Sequence, residues 1–161
     1  MYYSVVNSPV GDLLLAGRNG CLRQLSFLVG RKLEDHIGEL WIKNDNLFSK
    51  IASQLEEYFG GKRHEFDCPI EFEASSSGFY TSVWNELRQI PYGSTRSYRE
   101  VAERIGRPKA YRAVGQANHQ NPIAIVIPCH RVIGSNGTLT GFGGGLDTKK
   151  YLLELEESNC P

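Results

Sequence analysis

A serine-rich segment, Ser75-Ser76-Ser77-Gly78, separates two parts of the chain that differ in charge and in hydrophobic pattern. Residues 1–75 contain 8 Lys and Arg against 11 Asp and Glu, whereas residues 76–161 contain 10 against 7. The first part alternates apolar and polar residues as strands do, and the second repeats apolar residues at helical spacing. Small polar residues at such a change in composition are typical of a linker. We therefore predict two domains, 1–75 and 76–161.

The first part is predicted to be a small α/β domain with an antiparallel sheet. Residues 2–6 and 12–16 have strand character and are joined by the turn-forming residues 7–11. Residues 21–28 continue the strand pattern, although their alternation is less regular. Short connections of this kind favour neighbouring antiparallel strands.

A helix and a further strand are predicted next. Six apolar residues at three- and four-residue intervals indicate an amphipathic helix that ends at Gly60-Gly61. They are Leu47, Phe48, Ile51, Leu55, Tyr58 and Phe59. Residues 66–72 then alternate Phe66, Cys68, Ile70 and Phe72 with polar residues or proline, which predicts a strand. Nothing in this part indicates catalysis.

The second part is predicted to be mainly helical, with a helix-turn-helix. One amphipathic helix, ended by Pro91, is marked by Phe79, Val83, Trp84, Leu87 and Ile90. Ser97 and Glu100 form a capping-box pattern, so a second helix starts near Ser97 and closes at Gly106. A third helix is predicted from about Pro108 to His119, because proline is tolerated in the first turn of a helix. Two short helices around a glycine-containing turn are typical of the helix-turn-helix.

The outer face of this third helix combines polar and very small residues. Arg112, Gln116 and His119 fall on one polar stripe. Three small residues keep the helix thin: Ala113, Gly115 and Ala117. The surrounding residues 88–131 carry 8 basic side chains against 2 acidic ones, which suits a polyanion. Packing between helices and a solvated charged face explain the same features, so the pattern alone leaves both interpretations open.

A cysteine follows a buried apolar segment in the second part. Residues 123–127, between Pro122 and Pro128, are all apolar and are predicted to form a short buried strand or extended segment. Cys129 and His130 come directly after it. A nearby imidazole can make a thiolate available as a nucleophile at neutral pH. An adjacent Cys-His pair is weak evidence by itself, because neighbouring residues of a strand point to opposite faces.

The other cysteines give no pattern of a metal or disulfide site. Cys21, Cys68 and Cys160 form no Cys-x-x-Cys pair, and Cys21 and Cys68 are expected to be reduced and mostly buried. We expect neither a metal nor a cofactor. No apolar run is long enough to cross a bilayer, and the N-terminal residues lack the pattern of a signal peptide. A cytoplasmic protein without membrane contact is therefore expected.

The residues around Cys129 carry a resemblance to a known family. IPCHRV, preceded by RAVGQANHQNPIAIV and followed by IGSNGTLTGFGGG, resembles the O6-alkylguanine-DNA alkyltransferases. The resemblance is close over residues 76–157, whereas the first part is similar only in size and alternation. It implies a ribonuclease H-like first domain and a winged-helix or helix-turn-helix-like second domain. It also implies DNA repair by irreversible transfer of an alkyl group from O6-alkylguanine, with O4-alkylthymine as a further candidate substrate.

The resemblance implies roles for four residues in the transfer. Cys129 matches the alkyl acceptor, and His130 matches the residue that takes the thiol proton through a water. Glu156 matches the acid that polarises this imidazole, and Asn121 matches the residue that braces the turn presenting the cysteine. A carboxylate–imidazole–thiol chain is a plausible way to activate sulfur. Without the resemblance, Glu156 in LLELEE would be interpreted as a solvated helix residue.

Further residues match the family's DNA contacts and its active-site loop. Arg112 matches a finger that fills the gap left by a flipped base, and Tyr98 matches a tyrosine that helps to rotate the nucleotide. The helix would lie in the minor groove, with Ala113, Gly115 and Gln116 at the contact. Residues 140–145 match the loop that closes the site, and main-chain carbonyls of Cys129 and Val132 would read the guanine amino group.

Two positions of the loop depart from other family members. Phe142 stands where others have tyrosine, and Gly143 stands where some have serine, which leaves the breadth of substrates open. The expected partner is double-stranded DNA containing O6-alkylguanine, bound by a monomer. A non-catalytic damage sensor would lack Cys129, and a cysteine hydrolase would need an oxyanion site, which the sequence does not indicate.

Overall fold

The computed structural model describes residues 1–161. The first four strands of the chain form one sheet. The strands are β1 (Tyr2–Val6), β2 (Leu13–Arg18), β3 (Cys21–Phe27) and β4 (Ile42–Lys43), in the order β3-β2-β1-β4. The pairs β1–β2 and β2–β3 are antiparallel, as predicted. The two-residue strand β4 runs parallel to β1, so the sheet is mixed at this edge.

Helix α1 (Ser49–Phe59) packs on the sheet and ends where the sequence predicts. A 3-10 turn over Asp45–Phe48 leads into it. The buried side chains of α1 are Ile51, Gln54, Leu55 and Tyr58, at the spacing of one helix face. Gly61 has a φ of +73°, a left-handed conformation that glycine adopts without strain, and it ends the helix.

The strand predicted over residues 66–72 is wrong. The segment is extended, but its only bridge to the sheet joins Ile70 to Leu22. Phe66, Cys68, Ile70 and Phe72 are half-buried against the core while the residues between them are exposed. The alternation therefore records which side chains pack inward. It does not establish a ladder, and Pro69 has no N–H to donate to one.

The second part is mainly helical, as predicted. It contains α2 (Gly78–Leu87), α3 (Tyr98–Arg104), α4 (Tyr111–His119) and α5 (Leu146–Asn159), with the short parallel pair β5 (Arg96–Ser97) and β6 (Val132–Ile133). Ser77 caps α2 by accepting a hydrogen bond from the Tyr80 N–H at 3.1 Å. Ser97 caps α3 through the Glu100 N–H at 3.0 Å, which confirms the predicted start of that helix.

Helix α4 starts later than the sequence predicts. Pro108 lies in a turn closed by the Ala110 N–H and the Arg107 carbonyl at 2.9 Å, and the helix begins at Tyr111. Proline fits this turn because its fixed φ suits the position after the first residue. Helices α3 and α4 pack together as the predicted helix-turn-helix. Val114 and Ala117 are fully buried on the inner side of α4.

The two parts of the chain share one core. A cluster of 24 buried apolar residues contains side chains from both sides of the Ser75–Gly78 segment. Backbone hydrogen bonds also join the two parts. The Leu25 N–H of β3 donates to the Pro122 carbonyl at 2.9 Å, and the Ala124 N–H donates to the Leu25 carbonyl at 3.1 Å. The boundary at residue 75 stays a prediction. None of the helices is long and apolar enough to span a membrane.

Candidate active site

The apolar residues before Cys129 form a strained turn, in place of the short buried strand or extended segment that the sequence predicts for residues 123–127. The Val126 N–H donates to the Ala124 carbonyl at 2.8 Å, which makes a γ-turn centred on Ile125 at a φ of +69°. A β-branched residue in this conformation carries strain on the order of 1–3 kcal/mol. Ile125 is nevertheless buried, as the sequence predicts for this segment. The turn changes the direction of the chain just before the cysteine.

Asn121 braces this turn from both sides. Its Nδ2 donates to the Ile127 carbonyl at 2.8 Å, and its Oδ1 accepts from the Ile123 N–H at 3.0 Å. One amide side chain thus ties together the two ends of the turn. Strained backbone persists only where the surroundings over-determine it, and Asn121 supplies such a constraint.

Cys129 begins a 3-10 turn, Cys129–Arg131, at the floor of a cavity of about 110 Å³. The thiol residue is 5% exposed. Burial raises the pKa of Cys129, while the Asn121 side chain and the charge of Lys149 act in the opposite direction. The resting group is therefore a neutral thiol that needs a base when it reacts.

His130 lies behind the cysteine and bonds to Glu156. Its Nε2 is 2.5 Å from Glu156 Oε2, and both side chains are buried. Burial lowers the pKa of His130, so the imidazole is neutral at neutral pH. Because a carboxylate only accepts hydrogen bonds, Nε2 must carry the proton. Nδ1 is then a buried acceptor, and it has no partner in the structure.

Glu156 is a buried carboxylate surrounded by donors, which rules out the solvated helix residue considered above. It is 1% exposed. Burial raises its pKa, but His130 and Arg131 outweigh burial and hold the pKa of this carboxyl well below its ordinary value. Glu156 therefore stays ionised and can orient the imidazole over a wide pH range.

Three polar residues around this centre were not identified from the sequence. Arg131 Nε donates to Glu156 Oε1 at 2.7 Å, and the Tyr58 hydroxyl donates to Glu156 Oε2 at 2.6 Å. Lys149 is fully buried and donates to the Val132 carbonyl at 2.6 Å. Arg131 directly follows Cys129 and His130 in the sequence, so its place in that motif could have indicated that it belongs to the site. Tyr58 and Lys149 carry no local signal, because each is brought in by a distant element.

The loop over the cavity is held by contacts with the first part of the chain. Phe142 and Gly143 line the cavity together with Cys129 and Asn121. The Phe142 ring packs against Phe27 with centroids 5.4 Å apart, and the Gly143 carbonyl accepts a hydrogen bond from Arg31 at 3.0 Å. Val132 does not line the cavity. Val132 is fully buried, and its carbonyl accepts a hydrogen bond from Lys149.

The predicted DNA-contact residues lie outside the cavity. Arg112, Ala113 and Gln116 are exposed on the outer face of α4, and Gly115 is half-buried. The Tyr98 hydroxyl is 2.8 Å from Thr140 Oγ1, which links α3 to the loop. The structure therefore separates the predicted site into a buried thiol centre and an exposed helix face beside it.

The remaining cysteines are unpaired and lie apart from this centre. Cys21 and Cys68 are half-buried, which is less than the sequence led us to expect, and Cys160 is exposed. No group of three or more His, Cys, Asp and Glu side chains is arranged to hold a metal ion.

Comparison with known proteins gives consistent matches to one family. Residues 1–72 match the profile described as "6-O-methylguanine DNA methyltransferase, ribonuclease-like domain", and residues 78–158 match the "DNA binding domain" of the same description. The chain is 54% identical over 159 residues to a methylated-DNA--protein-cysteine methyltransferase of Methanosarcina barkeri, covering 99% of both chains. It is 46% identical over 161 residues to a protein of that name from Mycobacterium tuberculosis, covering 100% of this chain and 95% of the relative.

Solved structures agree with these matches. The crystal structure of a Mycobacterium tuberculosis O6-methylguanine methyltransferase has a TM-score of 0.90 at 46% identity. The match covers 99% of this chain and 94% of the chain in that structure. A crystal structure of the Mycobacterium tuberculosis protein in complex with DNA has a TM-score of 0.89, also at 46% identity, over 100% of this chain and 96% of its own.

Proposed function

The chain belongs to the O6-methylguanine DNA methyltransferase family, and on that basis we propose that it repairs DNA by taking the alkyl group of O6-alkylguanine onto Cys129. In enzyme terms it is a methylated-DNA–protein-cysteine methyltransferase. The observation that carries the assignment of the acceptor is the position of Cys129. It is the only cysteine that lines the cavity under the loop, next to the His130–Glu156 pair.

The transfer exchanges the thiol hydrogen for an alkyl group. His130 Nδ1 takes the proton of Cys129 through a water as the sulfur attacks the alkyl carbon. The bond between that carbon and guanine O6 breaks, its electron pair stays with guanine, and the released guanine regains one proton. Glu156 supports the step by stabilising the imidazolium that forms on His130.

The raised pKa of Cys129 fits a reaction that occurs only when substrate is bound. A free thiolate would be exposed to oxidation and to other electrophiles. A neutral thiol that loses its proton to His130 during attack avoids this. The product is a thioether, and no second thiol lies at the cavity to reverse it. Each copy of the protein therefore acts once.

DNA is the partner, and we assign its contact to the exposed face of α4. An O6-alkyl group inside a duplex cannot reach the buried sulfur, so the nucleotide must rotate out of the stack. Arg112 fills the gap that it leaves, and Tyr98 guides its rotation. Ala113, Gly115 and Gln116 form the surface that approaches the minor groove. One copy of the chain contains all these groups, which is consistent with action as a monomer on double-stranded DNA.

The loop over the cavity selects the base. Phe142 offers a ring for stacking but no hydroxyl, and Gly143 offers only its backbone. We assign the guanine amino group to two main-chain carbonyls: that of Cys129, which lines the cavity, and that of Val132, which already accepts a hydrogen bond from Lys149 at 2.6 Å.

Intact-mass analysis tests the proposal directly. The protein is incubated with an excess of duplex oligonucleotide containing O6-methylguanine and then digested for peptide mapping. One added methyl group on the Cys129 peptide supports the proposal. Repeated turnover, no added mass, or a label on Cys21 or Cys68 would contradict it. Cys129→Ser serves as the control and should bind DNA without gaining mass.

A further inference from the structure

Tyr58 connects the first part of the chain to the acid of the active site. It lies in α1, is fully buried, and donates its hydroxyl to Glu156 Oε2 at 2.6 Å. The same oxygen accepts the hydrogen bond from His130 Nε2. Two donors from different parts of the chain, Tyr58 and His130, therefore share one carboxylate oxygen, and His130 is the imidazole that handles the thiol proton.

The Glu156 carboxylate is fully occupied in this arrangement. Oε2 accepts from Tyr58, His130 and Arg131 Nη2, the last at 3.2 Å. Oε1 accepts from Arg131 Nε at 2.7 Å and from the Gly93 N–H at 3.2 Å. A carboxylate has about four lone-pair sites, so each donor competes for negative charge that the others would use. Of these donors, the Tyr58 hydroxyl can be removed by deleting a single oxygen atom, in Tyr58→Phe, without changing the charge of the protein.

We propose that Tyr58 is a positioning residue for alkyl transfer, which acts through Glu156 Oε2 to fix the orientation of His130 and to limit how strongly the carboxylate attracts a proton to it. This inference rests on the proposed function. It gives α1 a part in the reaction, although nothing in residues 1–75 of the sequence indicated catalysis.

The hydroxyl of Tyr58 remains a donor throughout the working pH range. Burial, with the neighbouring Glu156 charge, raises its pKa far above the ordinary value. The hydroxyl of Tyr92 provides a contrast within the same cluster. It is also buried but has no hydrogen-bond partner, and its ring lies 6.2 Å from that of Tyr58 in an edge-on contact. Burial of a tyrosine here does not by itself require a bond to Glu156.

Removing the Tyr58 hydroxyl has a defined electrostatic consequence. Titratable and charged groups from four elements face the His130–Glu156 pair. They are Tyr58 from α1, Tyr92 from the loop after α2, Cys129 and Arg131 from the 3-10 turn, and Lys149 from α5. With one donor fewer on Oε2, more carboxylate charge faces the imidazole. The pKa of His130 then rises, and more of the base is already protonated at mildly acid pH.

The test is the pH dependence of transfer in Tyr58→Phe. Single-turnover rates on O6-methylguanine duplex are measured from about pH 5 to 9, and the His130 ring nitrogens are titrated by NMR in the unreacted protein. We expect the acid limb of the rate profile and the His130 titration to move together to higher pH. Rates on that limb should fall about threefold to tenfold, since one pKa unit is a tenfold change in protonation. Rates on the alkaline side should stay within about twofold.

A matched control and a second variant separate this role from a structural one. Tyr92→Phe removes a buried hydroxyl without a partner and should leave the acid limb in place. Fluorination of Tyr58 at the ring 3-position makes the hydroxyl a stronger donor, so the limb should move to lower pH. If both Tyr58 variants leave the limb and the His130 titration unmoved, Tyr58 is only structural and the inference is wrong. If the wild-type protein transfers no alkyl group, the proposed function fails, while the NMR titration still decides the coupling of Tyr58 to His130.

Discussion

Arg131 holds both carboxylate oxygens of Glu156, with Nε 2.7 Å from Oε1 and Nη2 3.2 Å from Oε2. The pair is almost entirely buried, and Arg131 Nη1 also donates to the Ile90 carbonyl at 2.7 Å. The pair therefore connects α5 to the turn after α2 as well as fixing Glu156 next to His130. Each guanidinium nitrogen of Arg131 and each carboxylate oxygen of Glu156 therefore has at least one hydrogen-bond partner.

Arg131→Met should destabilise the fold severely. Breaking a buried ion pair leaves the other charge uncompensated, which costs about 3–5 kcal/mol. The free energy of unfolding, measured by urea titration, should fall by that amount. The matched control is Arg63→Met, because the Arg63–Glu57 pair is much more exposed and should matter by less than about 1 kcal/mol. Equal losses in the two variants would contradict the importance of the buried pair.

Acid should destabilise the protein through Glu156. The folded pKa of this carboxyl is below the ordinary value of 4.5, so the unfolded chain takes up the proton first as pH falls. Its contribution to stability is complete above that ordinary value and is lost progressively toward the folded pKa. Unfolding free energies measured between about pH 3 and 7 should fall steeply at the acid end. Glu156→Gln should be less stable at pH 7 and should show a shallower acid slope; an unchanged slope would refute this origin.

Loss of the imidazole should affect chemistry far more than DNA binding. His130→Ala removes the proton acceptor, and general-base catalysis contributes about a hundredfold or more. Single-turnover transfer should slow by that factor, while affinity for unmodified duplex stays close to that of the wild type. Because His130 is buried, thermal unfolding must be compared with that of the wild type. A folded variant with a normal rate would exclude the proposed base.

Asn121→Ala should loosen the turn that presents the thiol. It removes two hydrogen bonds to the backbone around Ile125 and leaves a buried carbonyl less well satisfied. We expect a loss of about 1–3 kcal/mol in unfolding free energy and a slower transfer, because the strained turn loses its brace. Asn136→Ala is the comparison, since Asn136 bonds only within the exposed 134–138 turn. An effect confined to stability would mean that the turn needs no brace to place Cys129.

Arg112→Ala should separate base extrusion from sulfur chemistry. Repair of an alkylated duplex should slow by about tenfold, because part of the compensation for unstacking is lost. Reaction with free O6-benzylguanine should remain almost normal, provided that the wild type accepts this base. A lesion placed opposite an abasic site should recover part of the loss, since that base is already partly unstacked.

Two other outcomes would reject the finger role of Arg112. If it only contacts phosphate, the defect should vanish at low salt and the salt dependence of binding should decrease. Equal losses on duplex and free base would instead indicate a misfolded site. Rates on both substrates at two salt concentrations distinguish these outcomes from extrusion.

The sequence by itself determined the local elements and the family. Helical spacing and capping residues placed α1, α2 and α3, because these signals act within a few residues of one another. The residues around Cys129 were sufficient to identify the family, and they predict Cys129 as the nucleophile with His130 and Glu156 as its partners. The prediction that residues 123–127 are buried holds for all of them except Val126, which is half-buried, because burying a continuous apolar run removes it from water.

Only the tertiary structure decided how these parts are arranged. Alternation along 66–72 and apolarity along 123–127 report burial, and neither distinguishes a strand from an extended segment or a γ-turn. The donors around Glu156 could not be read from the sequence, because Tyr58 lies 98 residues away and reaches the acid only when α1 packs against α5. The pKa directions of Cys129, His130 and Glu156 follow from that packing, since burial and neighbouring charges exist only once the chain has folded.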